Sequence, residues 1–221
     1  MRLEWDWDFA LATLPALAAA LRVTVAATLG GAMLALGLGL VLALARRARL
    51  RPLAWLTAAA VEFVRSTPLL IQIYFLFYVL PRFGLSMSPF ATGVIALGLH
   101  YSAYTSEVYR AGLEAVPRGQ WEAAAALNLP PRRAFLRVIL PQAIPPVLPA
   151  LGNYIVAMFK DTPLLSTITV LELLYRAKDI GAQTFRYLEP FTLVGVLFLA
   201  VSLAAAAGIR ALERRLPSYA A

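Results

Sequence analysis

The chain has 221 residues, 61% of them apolar and only 14% charged, with a net charge of +8 and no cysteine. Soluble domains average roughly 45–50% apolar and about 25% charged residues, so an ordinary soluble domain is excluded; the absence of a long polar tract excludes a disordered chain. Without cysteine there is no disulfide framework, thiolate metal site or cysteine nucleophile.

The first residues carry Glu4, Asp6 and Asp8, where a signal peptide would be basic. Crossing a bilayer takes about 20 consecutive apolar residues. Five stretches qualify. Leu14–Ala45 holds a single charge, Arg22; Leu53–Leu80 holds Glu62 and Arg65; Phe83–Ser106, Val138–Phe159 and Pro190–Ile209 hold none. In lipid each must be helical, because an open strand leaves backbone groups unpaired. The expected fold is therefore all-α: a polytopic membrane helix bundle with five transmembrane helices, over about 21–45, 53–80, 87–109, 140–160 and 190–210. Residues 1–14 are expected to be extracytoplasmic, and residues 9–20 to form an interfacial helix before the first span proper.

Arginine and lysine in short loops set orientation. Arg46, Arg47, Arg49, Arg51, Arg110, Arg118, Arg132, Arg133, Arg137, Arg210, Arg214 and Arg215 share one side if there are five crossings. Arg2, Arg82, Lys160, Arg176, Lys178 and Arg186 are spread over the other. The N-terminus is expected outside, with the C-terminal tail, residues 214–221, in the cytoplasm. Since topology explains the basic charge and no nucleic-acid-binding pattern accompanies it, a nucleic-acid partner is not expected.

Ionisable and polar groups at membrane depth are costly and face a bundle interior or a wet cavity. Glu62 and Arg65 stand three apart on one helix face and can pair. Pro68, after Ser66 and Thr67, removes a backbone donor near mid-membrane and predicts a break. His100, Tyr101 and Tyr104 lie near the centre of the third span, and Asn153 and Tyr154 follow a proline-rich stretch in the fourth. Interrupted helices with polar midplane residues point to a transport site. Each residue also has a packing explanation: an internal Glu62–Arg65 pair, a satisfied core histidine, ordinary tyrosine packing, or Asp161 neutralising Lys160. The single histidine excludes a histidine metal cluster; no cofactor is expected.

Between spans three and four, Gln120–Leu127 is a strong helix former. Asn128 suits a left-handed helix end, and Pro130 and Pro131 suit the first turn of the next helix. Two short helices joined by a sharp turn are expected. Thr162–Tyr187 is expected to fold back at the outer surface, with Glu172, Arg176, Lys178 and Asp179 on a wet helical face.

The run Glu122-Ala123-Ala124, a turn residue at Asn128, and then Ile139-Leu140-Pro141 resembles the EAA loop of binding-protein-dependent ABC importer permeases. The flanks, Phe63 to Leu70, Glu107 to Gly112, Val138 to Ala143 and Leu151-Gly152-Asn153 with Lys160-Asp161, resemble the polar amino-acid uptake family. Val116 to Ala124, Ala143 to Pro146 and Arg186 to Phe191 are most similar to its ectoine/hydroxyectoine permeases. The likeness covers about residues 15–213, with the coupling loop at 112–141. It implies a type I permease domain in a bacterial inner membrane. The implied partners are a cytoplasmic ATPase dimer, a second permease subunit (identical or paralogous) and an extracytoplasmic solute-binding protein. It implies that Gly119, Gln120, Trp121, Glu122, Ala123, Ala124, Leu127 and Asn128 couple to the ATPase. Arg65, Thr67, His100, Tyr101, Tyr104, Asn153, Tyr154 and Asp161 would border the solute path. Asn128 replaces the usual glycine of the loop. Tyr154 replaces the acid often found in members that handle basic amino acids.

The only lysines, Lys160 and Lys178, sit in no Gly-x-x-x-x-Gly-Lys pattern, so the chain is not expected to be an enzyme, and ATP hydrolysis would belong to a partner. A stand-alone ion-coupled carrier or channel would explain the midplane charges but not the elaborate basic loop. An intramembrane enzyme is disfavoured by the lack of Gly-x-Ser-x-Gly and His-Glu-x-x-His.

Overall fold

A computed structural model describes residues 4–48 and 50–214. Arg2, Arg49 and Arg215 of the charge distribution, and most of the expected C-terminal tail, lie outside the described residues. Among the described residues every regular element is helical.

Helix α1, Trp7–Ala45, has 39 residues. It starts where the Asp6 carboxylate accepts the backbone N–H of Phe9 at 3.0 Å. At 1.5 Å per residue it is about 58 Å long, well beyond the roughly 30 Å hydrocarbon core. The expected interfacial helix over 9–20 is thus the first part of this one continuous helix, despite Pro15. Its early turns have tertiary support: Leu17 packs in a buried cluster with Leu173, Ala177, Ile180 and Val194.

Helix α2 covers Arg51–Ser66 and α3 covers Leu69–Tyr74, extended through a π-turn and a 3₁₀ turn to Phe83. The two helices meet at 104°. The expected break is therefore an elbow rather than a mild kink. Proline forces the preceding residue out of helical geometry, and Thr67 is accordingly extended (φ −107°, ψ 135°).

Helix α4, Pro89–Ala115, starts at Ser88, whose hydroxyl accepts the N–H of Ala91. It lies along α1 at close range. A Cβ at Gly39 would collide with the Thr105 hydroxyl, and one at Gly98 would collide with Leu34. The Thr105 hydroxyl donates to the Ala35 carbonyl at 2.8 Å across the gap. Small residues at a helix crossing are how membrane helices approach closely.

Residues Pro131–Ile168 form one helical rod of 38 residues, apolar enough to cross a membrane. It comprises α6 (Pro131–Ala134), a π-turn, α7 (Leu140–Ala143), a 3₁₀ turn at Pro145–Val147, α8 (Leu148–Asp161) and a 3₁₀ segment at Thr162–Ile168. The proline-rich break anticipated there is only that tightened turn. Helix α9, Leu173–Thr184, precedes α10, Leu188–Glu213. Glu172 is not on a wet face: it is fully buried, and its carboxylate accepts the N–H groups of Leu174 and Tyr175 at 2.9 and 2.6 Å.

Among the described residues α1, the 131–168 rod and α10 are long and apolar enough to span, and the bent α2–α3 pair passes as a fourth. Helix α4 has the length but is more polar. It is the most enclosed helix, with His100, Tyr101, Ser102, Thr105 and Ser106 buried along it. Lipid contact does not dictate its composition.

Candidate functional site: an aromatic cluster and an exposed short helix

The α2–α3 elbow leaves the last carbonyls of α2 without helical partners. Gln72 takes them up. Its amide donates to the Val64 carbonyl at 2.8 Å, the Thr67 carbonyl at 3.1 Å and the Thr67 hydroxyl at 2.8 Å. The Thr67 hydroxyl in turn donates to the carbonyls of Phe63 and Val64. The Gln72 oxygen then meets Nδ1 of His100 at 3.2 Å. Gln72 is not among the residues the sequence singles out; its one signal is a lone amide four residues after the helix-breaking proline.

Around this knot four rings gather from two helices. His100 and Tyr104, one turn apart on α4, have centroids 5.2 Å apart. Tyr104 lies 5.6 Å and Tyr101 6.2 Å from Tyr154 of α8. The Tyr101 hydroxyl donates to Oδ2 of Asp161 at 2.7 Å. Arg65, at the end of α2, sets its guanidinium 5.5 Å from the Tyr104 ring centroid and 3.6 Å from Glu62.

The elbow therefore brings Arg65, Thr67, His100, Tyr101, Tyr104, Tyr154 and Asp161 into one neighbourhood. Asn153 is exposed on the adjoining position of α8, and no hydrogen bond among the described residues joins it to the group. Asp161 engages Tyr101, not Lys160. His100 and Tyr101 are buried. Glu62 is 71% and Arg65 37% exposed by side chain, although both fall within an apolar stretch. Aromatic faces beside one accessible guanidinium can hold a carboxylate and a cationic group together.

The second cluster lies at the far end of α4. Helix α5, Arg118–Ala126, ends in a Schellman turn. Asn128 is left-handed (φ 51°), and the N–H groups of Leu129 and Asn128 bond the carbonyls of Ala124 and Ala125 at 3.1 and 2.9 Å. Gly119, Gln120, Glu122, Ala123, Leu127 and Asn128 are exposed, Leu127 by 74%. Trp121 and Ala124 face inward. Trp121 packs on the cluster of Leu113, Val116, Ile139 and Ala143, and Ala124 is buried. Their part is to seat the helix, leaving Glu122, Ala123 and Leu127 to face outward.

The short exposed helix α5 thus stands between α4 and the 131–168 rod. Residues 35–217 fit the family of binding-protein-dependent transport system inner membrane components. The chain belongs to that family.

It is 50% identical over 220 residues to a probable amino-acid ABC transporter permease, y4tG, of Sinorhizobium fredii strain NGR234, covering 96% of this chain and 95% of that one. It is 38% identical to the L-cystine transport system permease TcyB of Bacillus subtilis, over 80% and 76% of the two chains. A crystal structure of an amino acid ABC transporter with histidines superposes with a TM-score of 0.90 at 33% identity, over 97% of this chain and all of that one. The methionine transporter MetNI shares the fold at 18% identity with a TM-score of 0.64. The chain is thus a multi-pass membrane permease of the all-α fold of this family.

Proposed function

We propose that this chain is the permease subunit of an ABC importer for a small polar amino acid or an amino-acid-like compatible solute such as ectoine or hydroxyectoine. The observation that carries this is the Arg65 guanidinium standing over Tyr104, with Tyr101 and Tyr154 beside it. A zwitterion fits that pairing. Its carboxylate goes to Arg65 and its delocalised cationic part to the ring faces. An aromatic side chain rather than an acid fills position 154, which argues against a solute with a strongly cationic side chain. The relatives named as amino-acid permeases support the broad solute class.

The partners are a cytoplasmic ATPase dimer seated on Glu122, Ala123 and Leu127, a second permease, identical or paralogous, and an extracytoplasmic solute-binding protein. The exposed Glu62–Arg65 pair supports the second permease, because charged groups at membrane depth avoid lipid. The chain crosses the inner membrane five times, with its N-terminus outside and its C-terminus in the cytoplasm. The arginines flanking α5 and at the end of α1 support this orientation. ATP binding and hydrolysis in the partner rock the path between outward and inward access through α5.

Arg65→Gln tests the path. In the complex with its binding protein, solute-stimulated ATPase activity should require roughly 10–100-fold more solute, the cost of one charge-assisted pair. Unchanged solute dependence would refute the binding role.

A further inference from the structure

We infer that Arg47 is a positioning residue for coupling: with its guanidinium over the Trp121 ring, it ties the cytoplasmic end of α1 to the helix that meets the ATPase. This rests on the reading of α5 as the docking helix.

Helix α5 has nine residues, too few to hold a helix by itself. Its place depends on what it packs against. Most of those contacts come from chain close by in sequence: Trp121 on Leu113, Val116, Ile139 and Ala143, and Gln120 accepting from the Gln142 amide at 3.2 Å. The Arg47 guanidinium, 5.5 Å from the Trp121 ring centroid, comes from a different helix end.

The adjacent residue shows why this matters. Arg46 pairs with Glu107 on α4, Glu107 also pairs with Arg110 at 2.8 Å, and Arg110 reaches Glu114 at 2.6 Å. The end of α1 is thereby fixed to α4. Arg47 makes no ion pair among the described residues. Its guanidinium is committed to the indole. A push on α5 therefore reaches the α1–α4 pair through Arg47 as well as along the chain, and α4 carries His100, Tyr101 and Tyr104. Read as topology alone, the arginine run at 46–51 would need only charge. A cation over an indole face is a contact that arginine makes more often than lysine.

The test uses the complete reconstituted complex with Arg47→Ala, Arg47→Lys, Trp121→Leu and the Arg47→Ala/Trp121→Leu double variant. The ratio of solute taken up to phosphate released is measured with a labelled mixture of the twenty amino acids and ectoine. Arg47→Ala should lower that ratio about two- to fivefold, the scale of one exposed cation–π contact, with the ATPase still bound. Arg47→Lys should recover part of the loss, and the double variant should be no worse than Trp121→Leu alone. A wild-type ratio in Arg47→Ala overturns the inference. So do losses that multiply in the double variant, or release of the ATPase by Arg47→Ala, which would make the arginine a direct ATPase contact. Glu122→Lys run alongside separates the two readings. If it transports normally, the docking assignment itself falls. If it uncouples while Arg47→Ala behaves as wild type, only the Arg47 inference falls.

Discussion

The hydroxyl of Tyr101 donates to Oδ2 of Asp161 at 2.7 Å, joining the middle of α4 to the last residue of α8. Tyr101 is buried and Asp161 only partly so. Tyr101→Phe keeps the ring packing and leaves Asp161 short of one bond. A lost hydrogen bond to a charged group costs about 1.5–3 kcal/mol. The thermal midpoint of the purified complex should drop by several degrees, and solute stimulation of the ATPase should weaken. An unchanged midpoint would show that the bond is dispensable.

Gln72 holds the elbow. Its amide serves two carbonyls and a hydroxyl while its oxygen meets His100. Gln72→Leu preserves volume and removes the partner of those part-buried groups, at a cost of about 0.5–1.5 kcal/mol for each bond lost. Expression of the complex should fall, and transport should fall further than in Asn153→Ala, because Asn153 is exposed outside the knot. Equal effects in the two variants would contradict the role given to Gln72.

Asn128 closes α5 in the left-handed region. Asn128→Gly should retain or slightly raise coupling, whereas Asn128→Val should cost about 1–2 kcal/mol and reduce uptake per ATP. Measured side by side, the two variants separate backbone conformation from side-chain chemistry. If valine matches glycine, the turn does not govern coupling.

Much of this was legible in the sequence, for identifiable reasons. Proline and asparagine act locally, so the break at Pro68 and the helix end at Asn128 could be placed to the residue. Apolar length also pointed to α1, the bent α2–α3 pair, the 131–168 rod and α10, which are long and apolar enough to cross a membrane, whereas the third expected span falls on the more polar α4. What could not be read depends on partners distant in sequence. Residues 9–20 belong to α1 because Leu173, Ala177 and Ile180 lie against them. Trp121 and Ala124 turn inward because Leu113, Val116 and Ile139 supply a seat. Glu172 looked like a surface residue in a polar segment, yet it caps α9 from inside. The 104° angle at the elbow also exceeds what one proline specifies, since Gln72 stabilises it.

A clasp at the opposite end offers a pH test. Arg186 bonds Oδ2 of Asp6 at 2.8 Å and pairs with Glu189 at the start of α10. The Phe9 N–H, followed by Arg186, holds the Asp6 carboxyl below its ordinary value of 3.8. A depressed carboxyl contributes fully above its unfolded pKa, and its contribution is lost as pH falls through the folded value. Hydrogen exchange at the first turns of α1 should be constant from about pH 8 to 5, after correction for intrinsic rates, and rise below about pH 4. Asp6→Asn should already show the faster exchange at neutral pH, and the wild type should converge on it at low pH. A rise beginning near pH 6 would point to a different group.

The close fit of α1 on α4 limits how the molecule can move. Gly39 faces Thr105 and Gly98 faces Leu34 with no room for one further carbon, and Thr105 pins the seam to Ala35. Displacing one helix past the other by a turn, about 5.4 Å, would put side chains where only hydrogens fit. Ratcheting along this seam is closed off. The two helices form a chassis, and on the transport function proposed above any alternating access has to come from the elbow after α2 and the rod that carries Tyr154.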